Sequence, residues 1–359
     1  TIGALVSDLA KVGLVEEVSG VGGSRGRPSL VVRMNSSHNF VLAFDLGVDR
    51  IVAAAVGLGG EVLATIHRSR EDGPYPVKKA IATILESTDE LFASLPTGAV
   101  LVGVGIAIPG VVETELGFIR KAPNLGWIDV PFGQLMTDSL HAHIGVCPTV
   151  VLGNDANLGA VAEYVRGAAT ATSSVVYLTG DVGVGGGVVL GGQVLAGGSG
   201  FAGELGHMVV NPTGQPCNCG SRGCWETEVG RDAVLSAVGF LPGQGSFSDL
   251  VADSPADHTE IKRALAGVGE WVGVGLVNLM NSIDPDYIVL GGHFAEIYPY
   301  ISEVVDTRID QSRPNAHTRA YISLPSLLLN SPLAGAAEAA FGPLLSDPLH
   351  EMDQAFVLI

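Results

Sequence analysis

The chain has 359 residues, 47% of them hydrophobic and 16% charged, with a formal net charge of −18. That length allows two or three domains with full cores, and the apolar content excludes disorder. Glycine fills 49 positions, about 14% against a usual share of about 7%; with no Gly-X-Y period, collagen is excluded and the surplus belongs to turns and ligand-facing loops.

Ile2, Leu5, Val6 and Leu9 fall at i, i+3, i+4 and i+7, one apolar stripe of a helix that Gly13 stops. Leu14 and Val15 then turn back towards a core. Residues 22–28, Gly-Gly-Ser-Arg-Gly-Arg-Pro, form a basic flexible loop before a short strand, Ser29–Arg33. Helix, apolar return and basic hairpin outline a winged helix from its recognition helix onwards. Residues 1–36 are therefore expected to be a partial winged-helix DNA-binding domain whose first helices are absent, with Ser7, Lys11, Arg25 and Arg27 reaching operator DNA. An amphipathic helix followed by a plain loop fits the same residues.

Strands follow at Phe40–Phe44, Ile51–Val56 and Glu61–Ser69, separated by glycine-bearing turns. Val77–Leu95 has helical periodicity, and Val100–Ile108 is a buried apolar strand ending in Pro109-Gly110. A second round runs through strand Thr149–Leu152, helix Asn157–Arg166, strand Ser174–Leu178, Gly187–Leu190 and Val194–Ala196. The fragment Leu58-Gly59-Gly60-Glu61-Val62-Leu63-Ala64 recurs from Leu190 to Ala196 as Leu-Gly-Gly-Gln-Val-Leu-Ala, at the same hairpin of each round. That points to two related α/β lobes with a cleft between them. Long helices at Ile261–Asn281 and Pro332–Leu345 flank one more strand, Tyr287–Leu290. The expected lobes are 37–148, completed by 332–359, and 149–331. Apolar runs are too short and too interrupted by Gly and Pro to span a bilayer, so no membrane partner is expected.

His207, Cys217, Cys219 and Cys224 are spaced His-x9-Cys-x-Cys-x4-Cys. One imidazole and three thiolates make a closed tetrahedral set for a structural Zn²⁺, with no position left for water. One disulfide plus a spare thiol is the alternative, and a cytoplasmic location disfavours it. Cys147, alone beside Pro148, is expected to be a buried small hydrophobe.

The run Gly203-Glu204-Leu205-Gly206-His207, followed by Cys217-Asn218-Cys219-Gly220-Ser221-Arg222-Gly223-Cys224-Trp225-Glu226, resembles the signature of the ROK family of repressors and sugar kinases. The resemblance covers essentially the whole chain and implies an α/β, two-lobed actin-like ATPase (ribonuclease H-like) fold, with a zinc loop shaping a sugar site. It assigns sugar contacts to Asn124, Asn154, Asp155, Glu204, His207 and Glu226, with Asp155 the catalytic base if the chain is a kinase. Those residue types suit a polyol, because each buried hydroxyl must be paired with a directional donor or acceptor. Taken singly, Asn154-Asp155 reads equally as a helix cap and Glu204 as a surface carboxylate.

The resemblance also places two phosphate loops. Kinases of the family read Asp-x-Gly-Gly-Thr at the first; here it is Asp45-Leu46-Gly47-Val48-Asp49. At the second, Leu-Gly-Thr-Gly becomes Gly180-Asp181-Val182-Gly183, and His293 follows Gly291-Gly292 where another glycine is usual. Each loop has lost its hydroxyl and gained a carboxylate, which would oppose a polyphosphate, so ATP-Mg²⁺ is doubtful as a cofactor. A sugar-responsive repressor, a homodimer or tetramer binding operator DNA, is therefore the leading reading. An ATP-dependent hexose kinase is the alternative.

The acidity has an address. Lys11, Arg25, Arg27 and Arg33 against Asp8, Glu16 and Glu17 leave residues 1–40 at +1, so the remainder carries −19 of the total −18. An acidic body would confine DNA contact to the N-terminal segment.

Overall fold

A computed structural model of the chain describes residues 2–19, 30–70, 73–198, 200–241, 247–252, 258–312, 319–327, 330–353 and 355–358. It divides into two units, Thr1–Leu158 with Pro332–Ile359, and Gly159–Ser331.

The first unit begins with α1 (Ile2–Lys11) and the antiparallel pair β1 (Val15–Ser19) and β2 (Leu30–Met34). No residue of α1 is fully buried: of its apolar stripe, Ile2 is 84% and Leu5 60% exposed, while Val6 and Leu9 are half-buried. Leu14 does turn inward and is buried. Asn35 N–H donates to Leu14 O, extending the hairpin ladder, and Asn39 ties the segment to the body, its Nδ2 donating to Gly13 O at 2.7 Å. The basic loop with Arg25 and Arg27 lies outside the described residues.

Next come β3 (Asn39–Leu46), β4 (Arg50–Gly57), β5 (Val62–Ser69), α2 (Val77–Ala93) and β6 (Val100–Ile108). A small antiparallel sheet follows, β7 (Val111–Glu113), β8 (Phe118–Ala122) and β9 (Trp127–Val130), then α3 (Phe132–Ile144), β10 (Val150–Asn154) and α4 (Asp155–Val165). The main sheet has the order β10-β6-β3-β4-β5, parallel from β10 to β3 and antiparallel beyond. Because β10 pairs with β6, the first unit runs on to Leu158 instead of stopping at 148. Strands β3 and β6 are buried along their whole length, as expected where a sheet is covered on both faces.

The second unit repeats that plan: β11 (Ser174–Gly180), β12 (Val184–Leu190) and β13 (Gln193–Val194). Among the described residues, helices α5 (Trp225–Val229), α6 (Arg231–Ala237), α7 (Phe247–Ala252) and α8 (His258–Ser282) follow, and then β14 (Tyr287–Gly292), α9 (His293–Ser312) and β15 (Tyr321–Ser323). Its sheet order β13-β12-β11-β14-β15, with two antiparallel and two parallel neighbours, matches β5-β4-β3-β6-β10 strand for strand. The two copies of the repeated heptapeptide occupy the β4–β5 and β12–β13 turns. The chain then returns to the first unit through α10 (Ser331–Ser346), α11 (Pro348–Asp353) and β16 (Phe356–Val357), which pairs with β6. Helix α10 lies directly on that sheet: a Cβ on Gly105 would sit 1.9 Å from Ala336 O. Among the described residues, no helix is long and apolar enough to cross a membrane.

Candidate functional site

In the second unit, the segment from His207 to Cys224 folds back on itself through backbone bonds. Val210 and Asn211 N–H both donate to Gly223 O, Cys217 N–H to Ser221 O, and Trp225 N–H to Met208 O. Gly223 has φ +70, and a Cβ there would sit 1.5 Å from Asn211 O, so this turn admits only glycine. The fold-back brings one ligand atom each of His207, Cys217, Cys219 and Cys224 within 4.8 Å of one another. The sulfurs of Cys219 and Cys224 are 3.6 Å apart, and Cys217 Sγ lies 3.7 Å from His207 Nδ1. Donors about 2.3 Å from a tetrahedral ion are about 3.8 Å from one another, so the set fits a metal ion of zinc's size. Burial pushes the thiols of Cys217 and Cys224 up, whereas a backbone N–H at Ser221 pulls Cys219 down. A cation is what would hold all three as thiolates. Cys147 is exposed, not buried, because it falls in the turn after α3, beyond the sheet's cover.

Two carboxylates flank the cluster. Glu204 Oε2 is 3.7 Å from His207 Nε2, and Glu226 Oε1 accepts from Cys217 Sγ at 2.9 Å and lies 3.6 Å from His207 Nδ1. Nδ1 is turned to the sulfurs, and Nε2 faces Glu204. Glu204, His207 and Glu226, matched to sugar contacts one by one, thus form one polar group. Glu226 also reaches the second loop: a Cβ on Gly183 would be 2.8 Å from its Oε2.

In the first unit, Asn154 and Asp155 end β10 and begin α4. Asn154 Oδ1 accepts from Asn157 N–H at 2.9 Å, the bond of a helix cap, and its Nδ2 donates to Gly110 O and Asp155 Oδ1. Asp155 Oδ1 also accepts from Ala156 N–H, which fixes the carboxylate while leaving Asp155 half-buried. The cap and the candidate hydroxyl site are the same pair of residues. Asn124 lies half-buried in a tight turn, Pro123–Leu125, whose last residue accepts from Tyr75 N–H and whose neighbour Trp127 donates to Tyr75 O.

The two loops differ from expectation in their charge. Asp181 faces Arg231 at 3.7 Å, and Asp49 faces Arg50 at 3.1 Å, so each added carboxylate has a cation of its own. Repulsion of a polyphosphate is therefore weaker than the bare sequence implies. The lost hydroxyls remain, and so does a steric change that a reading by sequence misses. His293 is 6% exposed, donates from Nε2 to Val229 O at 2.8 Å and packs on the loop: a Cβ on Gly180 would be 2.3 Å from its ring. Arg231 was not singled out by any motif; its position next to Gly230, at the start of α6, is the only signal. In the first loop Asp45 is buried, while Gly47 and Asp49 are half-buried at the β3–β4 turn. Of the DNA candidates, Ser7 is exposed, and Lys11 pairs with Asp8 on its own helix at 2.8 Å.

A family model described as "ROK family" matches residues 41–341. The chain is 27% identical over 337 residues to the xylose repressor of Bacillus spizizenii (strain ATCC 23059 / NRRL B-14472 / W23), covering 93% of this chain and 85% of that protein. Its structure resembles that of a ROK hexokinase from Thermus thermophilus, with 27% identity, TM-score 0.67, and coverage of 86% of this chain and 99% of the other. It also resembles a ROK family transcriptional regulator described as a homolog of E. coli MLC protein, with 23% identity, TM-score 0.76, and coverage of 98% and 90%.

Proposed function

This chain belongs to the ROK family, with that family's actin-like ATPase fold, and on that premise we propose that it is a sugar-responsive transcriptional repressor. The observation that carries the reading is coverage. The hexokinase is used up, at 99% of its length, against 86% of this chain, whereas the repressor and the regulator align to 93% and 98%. The family model itself begins at residue 41, after the α1 and β1–β2 segment. In this reading residues 1–36 are the recognition helix and wing of a DNA-binding domain, and Ser7, Lys11, Arg25 and Arg27 meet operator DNA. The body at −19 repels the duplex and leaves contact to that segment.

Asn124, Asn154, Asp155, Glu204, His207 and Glu226 bind the hydroxyls of a sugar effector. His207, Cys217, Cys219 and Cys224 hold a structural Zn²⁺, whose role when bound is to fix the imidazole so that Nε2 faces the effector. The sugar acts by binding two conformations of the protein unequally, since only differential affinity can shift the population that holds DNA. A homodimer or tetramer suits an operator with two-fold symmetry.

A hexose kinase is the second reading, favoured by the retained Asp155 and by the likeness to the hexokinase. The lost loop hydroxyls and the ring of His293 against Gly180 weigh against it. The deciding experiment is whether the chain holds DNA from its own upstream region and a sugar releases or strengthens that hold.

A further inference from the structure

We propose that Arg70 is a positioning residue for the sugar effector, holding the Asn124 turn in register with the β3–β4 turn; the proposal rests on the sugar-site reading above. Arg70 leaves the end of β5 and is bonded to the β3–β4 turn twice. Its backbone N–H donates to Asp49 O at 2.8 Å, and its Nη1 donates to Val48 O at 2.5 Å. Its Nη2 donates to Gly73 O at 2.7 Å, and its guanidinium lies over the Tyr75 ring, 4.8 Å from the centroid. Lys79 stands 5.4 Å from the same ring, and the Tyr75 hydroxyl bonds Thr83 Oγ1 at 2.8 Å. Tyr75 is thus fixed by a cation, a hydroxyl and its own burial.

Tyr75 in turn is the template of the Asn124 turn. That turn closes with one backbone bond of its own, Gly126 N–H to Pro123 O. Its other supports come from 74–75. Tyr75 N–H donates to Leu125 O at 2.9 Å, the Trp127 indole N–H donates to Tyr75 O at 2.5 Å, and a Cβ on Gly126 would be 3.2 Å from Pro74 Cβ. Gly126 has φ +73, so the turn cannot simply tighten around a new side chain. Both carbonyls that Arg70 grips are in turns, not in the sheet. A planar guanidinium with two fixed donors ties two such points rigidly, which a single ammonium cannot do.

The test measures binding of D-xylose and D-glucose by calorimetry to the full wild-type chain and to Arg70→Met, Arg70→Lys and Arg68→Met. Arg68 is the control, because it lies on the same strand but bonds Ser87 and Glu90 of α2, away from the turn. The sugar that wild type binds is expected to bind Arg70→Met about tenfold more weakly, Arg70→Lys several-fold more weakly and Arg68→Met unchanged. The Trp127 indole N–H resonance is expected to move in both Arg70 variants and to stay in Arg68→Met. Wild-type affinity in a folded Arg70→Met or Arg70→Lys overturns the proposal and leaves the sugar site standing. If wild type binds neither sugar, the sugar-site reading is overturned and the role of Arg70 with it.

Discussion

Cys219 is the exposed cysteine of the His/Cys set, so its replacement disturbs the core less than that of Cys217 or Cys224 while removing one candidate ligand of four. Wild type is expected to purify with one zinc, read by elemental analysis, and Cys219→Ser without it and with sugar affinity about tenfold or more weaker, because His207 is then unfixed. Unchanged sugar affinity in the metal-free variant would refute the coupling. His293 sets a second prediction at this scale. Burial pushes its imidazole down to about 4 from the ordinary 6.5, although its bond to Val229 O works the other way. The unfolded chain takes up that proton near pH 6.5 and the folded chain only near 4. Stability from this group is therefore intact above about pH 6.5 and is lost as pH falls towards 4, by about 3 kcal/mol. Urea midpoints at pH 7.5 and 4.5 are expected to differ less in His293→Asn than in wild type; an equal difference in the two proteins would count against the assignment.

The metal loop is seated by a helix. Trp225 follows Cys224, is fully buried, and donates its indole N–H to Trp271 O at 2.8 Å. Its ring fits a notch in α8 at Gly275, where a Cβ would be 2.0 Å from Trp225 Cε2. Glycine within a helix costs about 1 kcal/mol relative to alanine, so it persists there for the packing. Gly275→Val is expected to lower stability by about 3 kcal/mol and to weaken metal retention as Trp225 shifts, read by thermal melting and elemental analysis together. At this scale the sequence was legible wherever a period was long. The strands at 40–69 and 100–108, the helix at 77–93 and the repeated hairpin follow from alternation, apolar runs and glycine turns. The sheet at 111–130 was not, since strands of three to five residues between tight turns carry almost no period. Helix α9 was also missed: Pro299 inside it reads as a stop. The His/Cys cluster that could hold a metal ion was legible from spacing alone, and the cap at Asn154 from its residue types. Arg70 and Arg231 were not, because a lone arginine has no period and its partners are carbonyls and carboxylates distant in sequence.

The duplicated sheet order explains the glycine surplus at the scale of the molecule. Each unit uses glycine at its hairpin turn and where a helix lies on strands, as at Gly105. The charge distribution has a comparable logic, with +1 on residues 1–40 and −19 on the rest. In the proposed repressor this distribution would leave DNA contact to residues 1–36, because the acidic remainder repels a polyanion. The most direct measurement is fluorescence anisotropy of a labelled DNA fragment from the gene's own upstream region, titrated with the full-length protein with and without D-xylose and D-glucose. The proposed repressor binds the fragment, and one sugar changes the affinity at least tenfold without ATP. Absence of DNA binding, together with ATP-dependent phosphorylation of a hexose at enzyme-like rates, would contradict it.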